Sequence, residues 1–141
     1  MSTITTTQED LADLLEAHAT LAGLSVLKEG VDDLKTGVEA AIGGKGIAIV
    51  VMEAGGGTIA RAGTSVAVEV VHAVAILNNP PVNESATGAQ KTSMEIVSAV
   101  LSAALAARWK AEDEAFRRVN FDGGTIAHMV LVSKECKFNV A

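Results

Sequence analysis

The chain has 141 residues, a formal net charge of −6 and a single cysteine. It is long enough for one core, too acidic to neutralise nucleic-acid phosphates, and without the cysteines for an intrachain disulfide. Hydrophobic residues make up 49% and glycines number 13, so the apolar share exceeds the usual ~45–50%. With a mean hydropathy of +0.34, that excess predicts apolar surface buried between subunits.

Thr6 and Glu9 form a capping-box pair that opens a first helix, with Leu11, Leu14, Leu15 and His18 on one face and Gly23 at its end. A short strand over Leu24–Lys28 follows. A second helix runs from about Val31 to Ile42, where Val31, Leu34, Val38 and Ile42 make the stripe and Gly43-Gly44 stop it. Gly46–Met52 is continuously apolar and reads as a buried strand. Glu53–Thr64, holding Gly55, Gly56, Gly57, Arg61 and Gly63, reads as a flexible connection that projects from the sheet as a docking loop.

Ser65–Leu77 is apolar on both sides and long, which predicts a strand in the sheet interior or in a subunit interface. Asn78, Asn79, Pro80 and Pro81 end it, because proline donates no ladder hydrogen bond and asparagine suits tight turns. Thr87 and Gln90 then cap an Ala-rich helix whose Met94, Val97, Leu101, Ala104/Leu105 and Arg108/Trp109 recur at helical spacing. Trp109 is expected to be buried against the Asn78–Val82 turn or the neighbouring strand. Beyond it lies a charged, irregular stretch with a short strand at Arg118–Phe121, and Asp122-Gly123-Gly124 signals a hairpin turn. The last strand, about Thr125–Val140, is apolar on both sides at first and amphipathic later, so its end reaches a sheet rim. The chain thus reads as one α+β domain over residues 1–141. The expected architecture is a four-stranded mixed or antiparallel sheet of βαββαβ type, both helices on one face, plus an N-terminal helix.

No residues combine into a catalytic, cofactor or metal constellation. Ser85–Thr92 lacks the two glycines that let backbone amides close on a phosphate, and Gly55–Gly57 opens a strand rather than a helix. His18, His72 and His128 are dispersed. His72 and His128 can face one another across a sheet, with Cys136 on the side of His128, but the spacing fits no metal-binding pattern. Glu69 is expected in a buried ion pair or at a subunit boundary. The uncharged run Ile96–Ala107 is too short to span a bilayer, and the first ten residues have no signal-peptide character, so a cytoplasmic protein is expected.

The stretch EVV…ILNNPPVNESATGAQKTSMEIVSAVLSAAL…W resembles the tail terminator (tail completion) proteins of long-tailed bacteriophages. In some of these a strand ends in an E-N-P-x-x-N turn, and a helix beginning near a Gly/Lys pair runs to a terminal tryptophan. The matching residues are Asn79, Pro80, Asn83, Gly88, Lys91 and Trp109, while Asn78 stands in place of the glutamate. The resemblance implies a non-enzymatic virion protein made in the host cytoplasm. It would form a ring, usually a hexamer, at the head-proximal end of the tail, where it ends tube polymerisation. Its partners would be the tail tube protein and a neck or head-completion protein, with DNA passing through without specific binding and no membrane involved. Other classes compatible with the sequence are a different ring-forming connector or tube subunit, and a small-molecule-binding βαββαβ domain.

Overall fold

A computed structural model describes residues 3–82, 92–120 and 124–140. The chain runs through α1 (Thr7–Ala17), a 3₁₀ turn (Ala19–Leu21), β1 (Ser25–Lys28), α2 (Leu34–Lys45), β2 (Ile47–Val51), β3 (Gly56–Ala62) and β4 (Ser65–Asn78). After the helical residues 80–82 come α3 (Ser93–Ala106), β5 (Lys110–Asn120) and β6 (Ile126–Asn139). The fold is α+β around one mixed sheet of order β1-β2-β4-β6-β5, with β3 pairing on β4 beside β2. Only β1 and β2 are parallel.

The expectation of four strands needs correcting, because β3 and β5 add to the sheet. Both helices on one face is also overturned. β1–α2–β2 joins parallel neighbours directly, and β4–α3–β5 is a second crossover with β6 inserted between its strands. Both step the same way across the sheet, yet β2 and β4 run in opposite directions. Two crossovers of the same hand must then carry their helices on opposite faces.

That is the observed packing. On the front face, which carries the even-numbered side chains of β4, Leu11, Leu15 and Leu21 from the N-terminal segment join Ile96, Val100 and Ala104 of α3. They cover Ile47, Ile49, Val51, Val74, Ile76, Val130 and Val132. Each fully buried Leu or Ile contributes about 1.5–3 kcal/mol relative to exposure. On the back face α2 lays Ala41, Val38 and Ile42 on Ala48, Leu77 and Ala127. It covers little else of that side.

Local chemistry explains the boundaries. Asp33 accepts from the Thr36 backbone N–H at 3.3 Å, so α2 starts after it and leaves Val31 66% exposed. Gly43-Gly44 do not stop this helix. It ends where Gly46 turns left-handed at φ 75° and its N–H bonds to Ile42 O. Thr6 makes no side-chain cap on α1. Thr92 caps α3 through the Glu95 N–H at 3.1 Å, and Thr87 and Gln90 lie outside the described residues. The buried stripe of α3 is Ile96, Val97, Val100, Ala103 and Ala104, with Met94 and Leu105 exposed.

Candidate functional site

The most exposed structured part of the chain is the segment expected to be a loop. Strands β2 and β3 are one long strand interrupted by residues 52–55, four residues set opposite His72 and Ala73 of β4. This bulge is tied down at both ends, Met52 N donating to Ala73 O and Gly55 N to Val71 O, each at 2.9 Å. β3 then pairs with β4 along its whole length and turns at Gly63, whose φ of 63° suits glycine. Gly55 sits in the bulge, Gly56, Gly57 and Arg61 in the strand, and Gly63 in the turn. The expected flexible loop is thus a β-arm. The glycines do not loosen it because the 14-residue β4 offers a backbone partner at every step. Gly57 is also required, since a Cβ there would overlap the Glu69 carbonyl oxygen.

On the arm's other side β6 pairs with β4 as far as Asn139, while β5 begins only opposite Ser133. Beyond that point β5 no longer flanks β6, and three strands, β3, β4 and β6, run on together. Every residue of β3 is exposed.

A buried cluster fixes the arm's base. His72 Nδ1 lies 2.8 Å from Met52 O, and a carbonyl only accepts, so Nδ1 carries the proton. Nε2 lies within hydrogen-bond distance of the Thr7 hydroxyl, at 2.7 Å. Helix α1 is thereby joined to both β4 and the bulge. Gln8 Nε2 adds bonds to Glu29 O (2.8 Å) and Val51 O (2.9 Å). Trp109 is 3% exposed, with its ring centroid 6.0 Å from that of His72 at a 58° tilt. It packs against the strands, as expected, but far from the Asn78–Val82 turn. Arg108, at φ 66°, swings the chain so that Trp109 N reaches Ala104 O. Lys134 Nζ donates to Ala107 O at 2.9 Å and sits 5.7 Å above the indole. Next to this cluster, Asp10, Asp13, Leu14, Trp109 and Lys134 line an open groove of ≈ 640 Å³.

The motif residues do not converge. Asn79 and Pro80 lie at the opposite end of β4 from the arm. There Asn79 N donates to Gly46 O at 2.7 Å and its Nδ2 to Thr125 Oγ1 at 3.4 Å, while Asn78 Nδ2 donates to Ser93 Oγ at 3.0 Å. These bonds tie the end of β4 to α2, α3 and the start of β6. Asn83, Gly88 and Lys91 lie outside the described residues.

The histidines do not meet across the sheet either. His72 pairs with Val132 and His128 with Ile76, four residues or about 13 Å apart along the strand, and Cys136 pairs with Val68, as far again in the other direction. Among the described residues no group of His, Cys, Asp and Glu is placed to hold a metal ion. Burial, then the Arg118 guanidinium, hold the His128 imidazole below its ordinary pKa. Burial first, with Asp10 and Glu135 adding, pushes the Cys136 thiol up against the pull of Lys134. Glu69 pairs with Lys110 at 3.6 Å across β6, and the pair is partly solvated rather than buried.

One surface went unanticipated. On the back face, beyond the reach of α2, Val71, Ala73, Met129 and Leu131 form with Met52 and Ala54 an apolar groove of ≈ 570 Å³. The first half of β6, apolar on both sides, was its signal. Two apolar faces need helices on both, and the sequence supplies too few to cover them.

No known family model matches the sequence, and no curated protein matches it. Among the described residues no helix is long and apolar enough to cross a membrane.

Proposed function

We propose that the protein is a structural subunit of a bacteriophage tail, a tail terminator. On this reading it forms a ring, hexameric in its simplest form, that closes the head-proximal end of the tail tube and presents the surface to which the neck attaches. The observation that carries the reading is the three-stranded arm beside an uncovered apolar back face. A chain with this much unsatisfied apolar surface and free strand edge is built to be completed by neighbours. Head-to-tail contacts between identical subunits close into rings when the rotation permits. A net charge of −6 suits a channel through which DNA slides without sticking. Partners on this reading are the tail tube protein and a neck protein, and the protein resides in the virion after synthesis in the host cytoplasm.

Native mass spectrometry and electron microscopy of the purified chain test this. The expected result is a ring of six times the 14.4 kDa chain mass, alone or on added tail tubes. A chain that stays monomeric with and without tubes overturns the proposal.

A further inference from the structure

The sheet has several exposed edges, and three of them are blunted. β1 is only four residues long and ends in Lys28. β5 is broken by a bulge between Ala111 and Phe116. The free part of β6, residues 134–139, carries Lys134, Glu135 and Lys137, the last two ion-paired at 3.3 Å. Short length, bulges and charged side chains are the devices that keep a strand edge from pairing with another chain. The outer edge of β3 is the least protected of these, with a bulge only before its first residue and a single charged side chain. It is seven residues long, holds no proline and is unpaired among the described residues. Its one charge, Arg61, is turned back along its own hairpin, Nε donating to Gly63 O at 2.8 Å. At its centre Ile59 is 75% exposed.

We propose that β3 pairs antiparallel with β3 of a second copy of this chain, across a two-fold axis at Ile59. The sequence selects that register. Centred on Ile59, the two isoleucines meet, Thr58 faces Ala60, and Arg61 faces Gly57, which has no side chain to oppose it. Centred on Arg61, two guanidinium groups would face each other, and centred on Thr58, Ile59 would meet only Gly57. Two three-stranded arms thus become one six-stranded sheet by backbone hydrogen bonding. The contact stands apart from the ring. Neighbouring subunits of a six-fold ring are not related by a two-fold axis, so this pairing joins free chains, or two rings arm to arm.

The test is a disulfide placed on the axis. Paired residues in antiparallel strands have Cα atoms about 4.5–5.5 Å apart, within disulfide reach. Residue 64, beyond the hairpin turn, would be about 33 Å from its symmetry mate, ten residues of strand away. Ile59→Cys and Thr64→Cys are each oxidised in the full-length protein, with native Cys136 retained, and the bridged peptides are mapped by mass spectrometry. The proposal expects Ile59→Cys to shift from the 14.4 kDa band to a dimer band through a 59–59 bridge, while Thr64→Cys stays monomeric. It is overturned by a bridge from 59 to Cys136, the mark of head-to-tail continuation of the sheet. It is equally overturned by equal yields at 59 and 64, or by no bridge at 59. Because Ile59 is exposed, an unchanged circular-dichroism melt of the variant shows that its fold is intact. Electron microscopy of the wild type reads the ring independently, so either idea can fail alone.

Discussion

Trp109→Ala removes the side chain that closes the base of the arm. Truncating a buried tryptophan costs about 3–5 kcal/mol, of which part is the cavity left behind. Here one flank of the indole borders the open groove of ≈ 640 Å³. Water can therefore enter the void, which moves the expected cost toward the low end. The lost Lys134 cation–π contact, about 0.5–1 kcal/mol, and the tilted His72 pairing, about the same, push the other way. The expected loss is about 3–4 kcal/mol, and Trp109→Phe should lose about half of that or less. Urea unfolding followed by far-ultraviolet circular dichroism reads both variants. In the wild type the emission of the chain's single tryptophan, undisturbed by any tyrosine, gives a second probe. A Trp109→Ala loss below about 1 kcal/mol would refute the reasoning, since that is the cost of an ordinary point substitution.

Three further predictions follow from single groups. Burial and Arg118 lower the His128 pKa in the fold, so the unfolded chain takes up a proton more readily. Stability is therefore full above pH 6.5 and falls as pH drops through and below it. Cys136 keeps its proton in the fold, so stability falls as pH rises above 9.0. Urea midpoints measured across that range should form a plateau with two falling flanks, the acid flank shallower in His128→Gln. A midpoint flat from pH 7.5 to pH 5 would contradict the account of His128. For Gly57→Ala, a strand substitution that reduces chain entropy would ordinarily stabilise by about 0.4–1 kcal/mol. The overlap with the Glu69 carbonyl reverses the sign here. Backbone amides of residues 56–62 should exchange faster while those of α1 and α3 do not, and slower exchange in β3 would defeat the argument.

What the sequence disclosed and what it hid divide along physical lines. β4 and β6 were legible almost to the residue, Ser65–Leu77 against Ser65–Asn78 and Thr125–Val140 against Ile126–Asn139. Long apolar or alternating runs bounded by proline and glycine leave little choice. β3 was hidden because Gly-Gly-Thr-Ile-Ala-Arg-Ala has weak strand propensity and becomes a strand only through the partner row on β4. β5 was hidden in its first half because an exposed, bulged edge strand carries the charges of a solvated segment. The placement of α2 could not be read from periodicity at all. It follows from strand direction and crossover hand, which appear only with the pairing. Among the site residues, Trp109 was rightly expected to be buried against a strand, while Asn79 turns out to fasten the far end of the fold.

The arm owes its existence to a mismatch in length. β4 and β6 pair over 14 residues, about 45 Å of strand, and a 14-residue α3 is only about 21 Å long. Helix α3 alone can thus cover about half of the ladder; further along it Val70, Val66 and Cys136 stay buried, while β3 at the edge is exposed along its whole length. The bulge at residues 52–55 marks where coverage ends: before it β2 is wholly buried, and after it β3 is wholly exposed. His72 holds that boundary, bonded on one side to Met52 O in the bulge and on the other to Thr7 at the start of α1. A projection anchored in this way is hydrogen-bonded to the body of the fold at its root. Force applied to the arm by a partner would pass through His72 and Trp109 into the core instead of bending a loop. If the arm docks as proposed, its pairing in the free chain reduces the entropy lost when the edge is paired.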